Sequence, residues 1–241
     1  MVHGNLTLIG TTDENFVGDL AAPIVHPHEI DYLCNVVNNY FRQTITPGDV
    51  VWAFAGVRSL YNDHADKAKD ATRDYVLTLD AARRRAPLLT IYGGKITTYR
   101  RLAEAALRKL ARYFTMTAEW TAKTPLPGGD FGGGHIGNLV ADMRRRWDFL
   151  DESNAWRLAK AYGTRVGMIL ADAASFDDLG VRFRGDLTGA EVRYLMRHEW
   201  AETADDVLWR RSKLGLGMAR EEREAVDRFM TSALGVEAGG R

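Results

Sequence analysis

Three cations and a pair of glycines carry the chemistry that this sequence could do. Gly93-Gly94 leads into Lys95-Ile96-Thr97-Thr98, Arg58 closes an apolar run upstream, and Arg73 stands just before another. Glycine removes the Cβ that would keep a ligand away from backbone, and the first N–H groups of a helix have no intrahelical partner. A helix opening at Thr97 therefore favours partial negative charge over the Gly-Gly turn, such as an anionic ring or a phosphate. Arg58, Arg73 and Lys95, if brought together, would receive a dianion such as a phosphate monoester. Simpler readings stand beside these: a tight turn with Thr97 or Thr98 as N-cap, and arginines on an ordinary surface.

The elements that must position these residues are mixed α and β in the first half. Leu6–Gly10 reads as a strand, followed by turns at Gly10–Asp13 and Gly18-Asp19. Pro27 suits the first helical position, and Glu29 falls where it can cap backward onto His26. Ile30, Leu33, Cys34, Val37 and Phe41 form the apolar face of that helix, with Cys34 as an inert core thiol. Val50–Val57, Val76–Leu79 and Leu88–Tyr92 read as three strands, the last one buried. The Arg83–Arg85 run reads as a solvated turn. The helix Thr97–Phe114 presents Leu102, Ala106, Leu107, Leu110 and Phe114 on one side.

The second half is helical. Pro125–Gly137 breaks the composition and reads as a flexible linker. Gly132, Gly134 and Gly137 spell G-x-G-x-x-G, but they follow a Pro-Gly loop rather than a buried strand, so the dinucleotide reading is rejected. Helices are expected at Asn138–Trp147, Glu152–Tyr162 with Gly163 as C-cap, Val166–Asp172, and from a Thr188/Glu191 capping box to Trp200. The last of these carries Val192, Leu195, Met196 and Trp200 as its apolar stripe. Another helix starts near Thr203–Asp206, and Ala219–Leu234 closes the chain before a frayed tail. The fold class is thus α+β, with residues 1–124 a mixed region, 125–137 a linker and 138–241 an all-helical domain.

Composition narrows the function. Lys plus Arg and Asp plus Glu are equal at 32 each, so no overall field draws the chain to nucleic acid. Arg144–Arg146 and Arg210-Arg211 then read as solvated helix faces. Cys34 stands alone, which excludes an internal disulfide. His26 and His28 lack a third ligand at a recognisable spacing, so no metal site is expected. No apolar run reaches the length of a membrane span, and the start lacks signal-peptide character.

Taken jointly, several stretches carry a family resemblance. They are Ile9–Asp13, Trp52 through Arg58, Thr72–Tyr75, Gly93–Arg100, Leu126–Gly129, Tyr194, His198–Trp200 and Ala204–Lys213. In this order and spacing they resemble the C-terminal half of the FAD-dependent glycerol-3-phosphate dehydrogenases of the respiratory, quinone-reducing type. The resemblance implies the end of a FAD-binding and substrate-domain β-sheet region followed by the family's helical C-terminal domain. It implies oxidation of sn-glycerol 3-phosphate to dihydroxyacetone phosphate, FAD as cofactor and a membrane quinone as acceptor. By similarity Gly93, Gly94, Lys95, Ile96 and Thr97 lie against the flavin ring. Arg58 is the catalytic candidate, and Arg58, Arg73 and Lys95 are the substrate-binding ones.

The resemblance also implies a cytoplasmic enzyme, peripheral on the inner face of the membrane, and leaves room for a homodimer. Two departures stand out. Ser59 replaces the proline usual after the pocket arginine, and no strand-linked glycine motif for the FAD pyrophosphate is present, so the N-terminal FAD-binding half is expected as a missing partner. Two other readings remain open: an oxygen-using glycerophosphate oxidase, and a non-catalytic helical interaction module.

Overall fold

The computed structural model describes residues 2–3, 6–58, 60–61, 74–82, 85–132 and 134–238. Chain contacts divide it into two units, Met1–Lys123 and Thr124–Arg241.

The first unit holds two antiparallel strand pairs and two helices. Strands β1 (Val2–His3) and β2 (Leu6–Thr7) pair with each other. The strand expected over Leu6–Gly10 therefore stops at Thr7, and Leu8 and Ile9 lie exposed beyond it. Helix α1 spans Pro27–Asn38, with Pro27 in its first turn and the His26 amide donating to Glu29 Oε2 at 2.9 Å. Proline at the start loses no intrahelical bond, and the glutamate satisfies an amide that the helix leaves over. Cys34 is buried as expected, whereas the helix ends before Phe41, which is 66% exposed.

Strands β3 (Val76–Asp80) and β4 (Leu88–Tyr92) form an antiparallel ribbon with Val76 opposite Tyr92 and Asp80 opposite Leu88. The three-strand sheet expected from sequence is thus a two-strand ribbon among the described residues. Val50–Val57 forms no strand among the described residues, with Val51, Phe54 and Val57 exposed. An apolar run supplies strand propensity, while pairing needs an edge to meet, and propensity alone does not provide one. Strand β4 is also less covered than expected, since Leu88, Ile91 and Tyr92 are exposed. Helix α2 (Tyr99–Leu110) follows the short 3₁₀ turn Ile96–Thr98 and ends four residues before Phe114, leaving Leu107 and Phe114 in the open.

The second unit is helical: α3 (Ile136–Arg146), α4 (Glu152–Tyr162), α5 (Val166–Leu170), α6 (Gly189–His198) and α7 (Arg220–Ala238), with a π-helical turn at Asp206–Arg211. Asp151 caps α4 by accepting from the Asn154 amide at 2.8 Å, and Gly163 ends it at φ 56°. The expected boundaries of α4 are borne out. Met143, Leu150, Leu170, Leu187, Leu195, Leu208, Val226 and Met230 are almost completely buried and belong to one core cluster. Helix α6 stops at His198, short of Trp200, because the chain turns there with Trp200 at φ 52° and 83% exposed. The Arg211 guanidinium holds that turn by donating to the carbonyls of Glu199 and Trp200 at 2.7 and 3.3 Å.

The burial is uneven. Among the described residues of Met1–Lys123, only Cys34 and Ala106 are buried apolar side chains, and every other member of the buried core lies beyond Thr124. Segment 125–137 is partly tied down: the Thr164 amide donates to Gly128 O at 3.1 Å, and Thr164 and Asp130 are hydrogen-bonded through their side chains.

Candidate functional site

In the first unit the turn Thr11–Glu14 is clasped by three partners. The Thr12 hydroxyl donates to Glu29, His28 Nε2 meets Glu14 at 3.1 Å, and Arg58 Nη1 donates to Asp13 Oδ2 at 3.2 Å. Thr11–Glu14, His28, Glu29 and Tyr32 line a cleft of about 320 Å³, and Arg58 is not part of its lining. The Thr12 hydroxyl and then the His26 amide hold the Glu29 carboxyl below its usual range, so it stays an acceptor. Helix α1 thus fixes the turn through its own first-turn residues, and the turn fixes Arg58. The pair is a partly exposed one, with 45% of the Arg58 side chain and 27% of that of Asp13 accessible. A guanidinium so placed still faces solvent or a ligand.

The second cluster is built by β4 and α2. Gly93 and Gly94 turn at φ 65° and 96°, and a Cβ on Gly94 would stand 3.2 Å from both Tyr75 Cβ and Leu102 Cδ1. Glycine lets the turn tuck onto the ribbon and the helix at once. Lys95 then opens the 3₁₀ turn, its carbonyl accepting from the amide and the hydroxyl of Thr98, each at 2.9 Å. Neither Thr97 nor Thr98 provides a side-chain cap. Ile96 is 88% exposed, next to the exposed Tyr92.

Of the expected site residues, Gly93, Gly94, Lys95, Ile96 and Thr97 therefore form one continuous surface. Arg58 lies with Asp13, and no hydrogen bond or ion pair joins it to Lys95 among the described residues. Arg73 lies outside the described residues, as do Ser59 and Arg83. The convergence of Arg58, Arg73 and Lys95 stays a proposal. Asp13, Thr12 and Glu29 were not read from sequence as site-forming. Their only signal was the G-T-T-D turn itself, since Asp13 and Arg58 stand 45 residues apart.

The second unit hides a polar cluster of its own. Glu191, 1% exposed, takes both terminal nitrogens of Arg157 at 2.7 and 2.8 Å and the Tyr162 hydroxyl at 2.7 Å. Arg157 also donates to Asp186 O at 2.9 Å. Burial first and then the Glu191 charge push the Tyr162 phenol far up, so it remains a donor. Burial works against the Arg157 charge, but the Glu191 contact outweighs it and raises its affinity for the proton. The expected capping box is therefore half made. The Thr188 hydroxyl accepts from the Glu191 amide at 3.3 Å, while the Glu191 carboxylate turns inward.

Residues 119–237 match the family described as the C-terminal domain of alpha-glycerophosphate oxidase. The chain is 43% identical to the glycerol-3-phosphate dehydrogenase of Pseudomonas aeruginosa, over 94% of this chain and 44% of that one. It is 40% identical to the aerobic glycerol-3-phosphate dehydrogenase of Escherichia coli, over 93% and 45% respectively. What the chain resembles is the C-terminal part of the glycerol-3-phosphate dehydrogenases. It is also 38% identical to the D-erythritol 1-phosphate dehydrogenase of Brucella abortus, over 96% of this chain and 46% of that one. The chain spans a little under half the length of these curated relatives. Among the described residues no helix is long and apolar enough to cross a membrane, and no group of His, Cys, Asp and Glu is placed to hold a metal.

The FAD that these dehydrogenases imply can be tested against the Gly93–Thr97 surface. The backbone is open at two glycines of positive φ, the helix start follows directly, and Ile96 and Tyr92 offer apolar contact. A flat ring with an anionic edge fits that combination.

Proposed function

We propose that this chain is the C-terminal portion of an FAD-dependent sn-glycerol-3-phosphate dehydrogenase that forms dihydroxyacetone phosphate and passes electrons to quinone. The observation that carries the reading is the identity of 40–43% to glycerol-3-phosphate dehydrogenases along nearly the whole chain. The flavin, when bound, supplies hydride acceptance from the substrate carbon. Gly93 and Gly94 admit it to the backbone, Lys95, Ile96 and Thr97 line its edge, and the α2 start favours negative charge there. Arg58, oriented by Asp13, stabilises charge growing on the reacting hydroxyl oxygen. Arg73 and Lys95 hold the phosphate. The N-terminal FAD-binding half completes the site, with residues 1–124 forming the substrate and FAD-domain strands, 125–137 the junction and 138–241 the helical domain. The full enzyme sits peripherally on the inner face of the membrane, from the cytoplasm, and has room to dimerise; nucleic acid is not a partner.

A second substrate has a specific observation behind it, the 38% identity to a D-erythritol 1-phosphate dehydrogenase. Both substrates are phosphorylated polyols, so Arg73 and Lys95 serve either. The deciding experiment joins the chain to the N-terminal half of a relative and follows reduction of a soluble quinone analogue. Glycerol 3-phosphate is compared with erythritol 1-phosphate, and oxygen uptake is recorded in parallel. Flavin fluorescence quenching reports cofactor capture separately from turnover. Turnover with glycerol 3-phosphate and quinone supports the reading. Dominant oxygen uptake moves the protein to the oxidases. A fused protein that binds no flavin leaves only the helical interaction module.

A further inference from the structure

The cleft at the start of α1, of about 320 Å³, is large enough for a small organic ligand, and every residue that lines it is polar. Thr11 and Thr12 bring hydroxyls, Tyr32 a phenol, His28 an imidazole, and Asp13, Glu14 and Glu29 carboxylates. Three carboxylates repel a phosphate, so the cleft suits either a cation or a neutral group rich in hydroxyls. A metal ion finds no ligand set: among the described residues no group of three His, Cys, Asp or Glu is placed to hold one. The hydroxyl-rich ligand is left, and the lining offers it donors and acceptors at once.

The acceptors are held in place without being used up. His28 Nε2 lies 3.1 Å from both Glu14 oxygens, which pins that carboxylate beside the first turn of α1. Glu29 takes the Thr12 hydroxyl and the His26 amide, and Asp13 takes the Arg58 guanidinium at 3.2 Å. An ionised carboxylate has about four lone-pair sites, so Glu14 can accept from a ligand hydroxyl while it meets His28. Asp13 also sets the location. It both lines the cleft and holds Arg58, so a hydroxyl at the guanidinium has the cleft as its neighbour.

Building on the dehydrogenase reading above, we propose that this cleft takes the hydroxyl-bearing end of a phosphorylated polyol, the end remote from its phosphate. Glu14, His28 and Tyr32 read the length of that end. Erythritol 1-phosphate carries one more hydroxyl-bearing carbon than glycerol 3-phosphate, and the added hydroxyl meets Glu14. The phosphate, which the carboxylates repel, is left to Arg73 and Lys95.

Erythritol is titrated into the full chain at constant ionic strength while NMR follows the His28 ring signals. Glycerol, inorganic phosphate and ammonium chloride serve as comparisons. The expected result is a saturable shift with half-saturation on the order of 10–100 mM, the range of a few net hydrogen bonds made in water. Glycerol binds more weakly, and neither phosphate nor ammonium saturates the signal. Glu14 has 52% of its side chain accessible, so its truncation opens no core. Glu14→Ala weakens erythritol binding about tenfold, Tyr32→Phe does so several-fold, and Lys109→Gln, on α2, leaves it unchanged. No saturable response to erythritol, an equal response to ammonium, or undiminished binding in Glu14→Ala overturns the proposal. In the enzyme completed by an N-terminal half, Glu14→Ala lowers kcat/KM for erythritol 1-phosphate about tenfold more than for glycerol 3-phosphate. Equal losses on the two substrates overturn the reading of length. Absence of turnover in the completed enzyme counts against the dehydrogenase reading, while erythritol binding to the chain decides the cleft by itself.

Discussion

Arg58 donates to Asp13 across 45 residues of chain, with Nη1 3.2 Å from Oδ2. A partly exposed pair of this kind contributes roughly 0–1 kcal/mol to stability, so its value lies in aiming the guanidinium. In the completed enzyme Arg58→Lys keeps the charge and loses the planar fork. Turnover should fall on the order of a hundredfold, the size of losing one oriented donor. Asp13→Asn should lower turnover less, with the melting temperature almost unchanged. Steady-state kinetics on glycerol 3-phosphate read both, with Arg85→Lys as a neutral control. Full turnover in Arg58→Lys would return Arg58 to the ordinary surface charges.

Glu191 and Arg157 are expected to be the costliest pair to break in the helical unit. Glu191→Ala leaves the Arg157 charge buried and should cost about 3–5 kcal/mol. Replacing both by hydrophobic residues of similar volume should cost much less, since neither charge then stands alone. Urea unfolding of the two single variants and the double variant checks this. Additive losses would show that the buried contact is not the source.

Asp206 gives a pH dependence. Burial alone would raise its carboxyl, but the Thr203 and Glu202 amides, the Thr203 hydroxyl and Arg210 hold it at about 2, from an ordinary 3.8. A carboxylate whose folded value is depressed stabilises above its unfolded value, and that stability is lost as the pH falls through the folded one. The contribution should therefore be complete above about pH 4 and fade toward pH 2. Asp206→Asn should lose about 1 kcal/mol at neutral pH, as for a broken cap, and flatten that acid limb. Unfolding curves at a series of pH values will show it. An unchanged acid limb in the variant would place the dependence on other carboxylates.

Gly163 should tolerate no side chain. A Cβ there would meet the Gly128 carbonyl oxygen well inside contact distance, at a φ of 56° that already disfavours L-residues. Gly163→Ala should cost more than about 2 kcal/mol, combining the left-handed penalty with forced displacement of backbone. The Gly128–Thr164 tie also makes limited proteolysis cut first on the N-terminal side of Thr124, releasing a helical piece of normal domain size, about 100 residues. Early cleavage within 138–234 would contradict that protection.

Much of the local structure was legible because it is written in local chemistry. Pro27 with Glu29, Gly163 after α4 and Thr188 before α6 marked helix ends that the structure keeps. The alternation in Val76–Leu79 and the run Leu88–Tyr92 gave the ribbon. What sequence did not show depends on groups far apart in the chain. Glu191 meets Arg157 and Tyr162 at separations of 34 and 29 residues, so a capping-box spacing hid a buried acid. Trp200 fitted a helical stripe by period, and only the turn braced by Arg211 carries it outward. Val50–Val57 failed for the complementary reason, since its backbone joins no strand ladder among the described residues. The Gly93–Thr97 surface and Arg58 were legible as chemistry, but the aspartate that aims Arg58 was not.

The lopsided core sets how the chain responds to heat. Heat capacity on unfolding follows the apolar surface that becomes wet, at roughly 12–15 cal/mol/K per residue for a well-packed domain. Beyond Thr124 the chain has such packing; before it, Cys34 and Ala106 are the buried apolar side chains described. A calorimetric scan of the chain should therefore weigh like a protein of half its mass. One endotherm would carry a heat-capacity step of about 1.4–1.8 kcal/mol/K, and the first 123 residues would add little latent heat of their own.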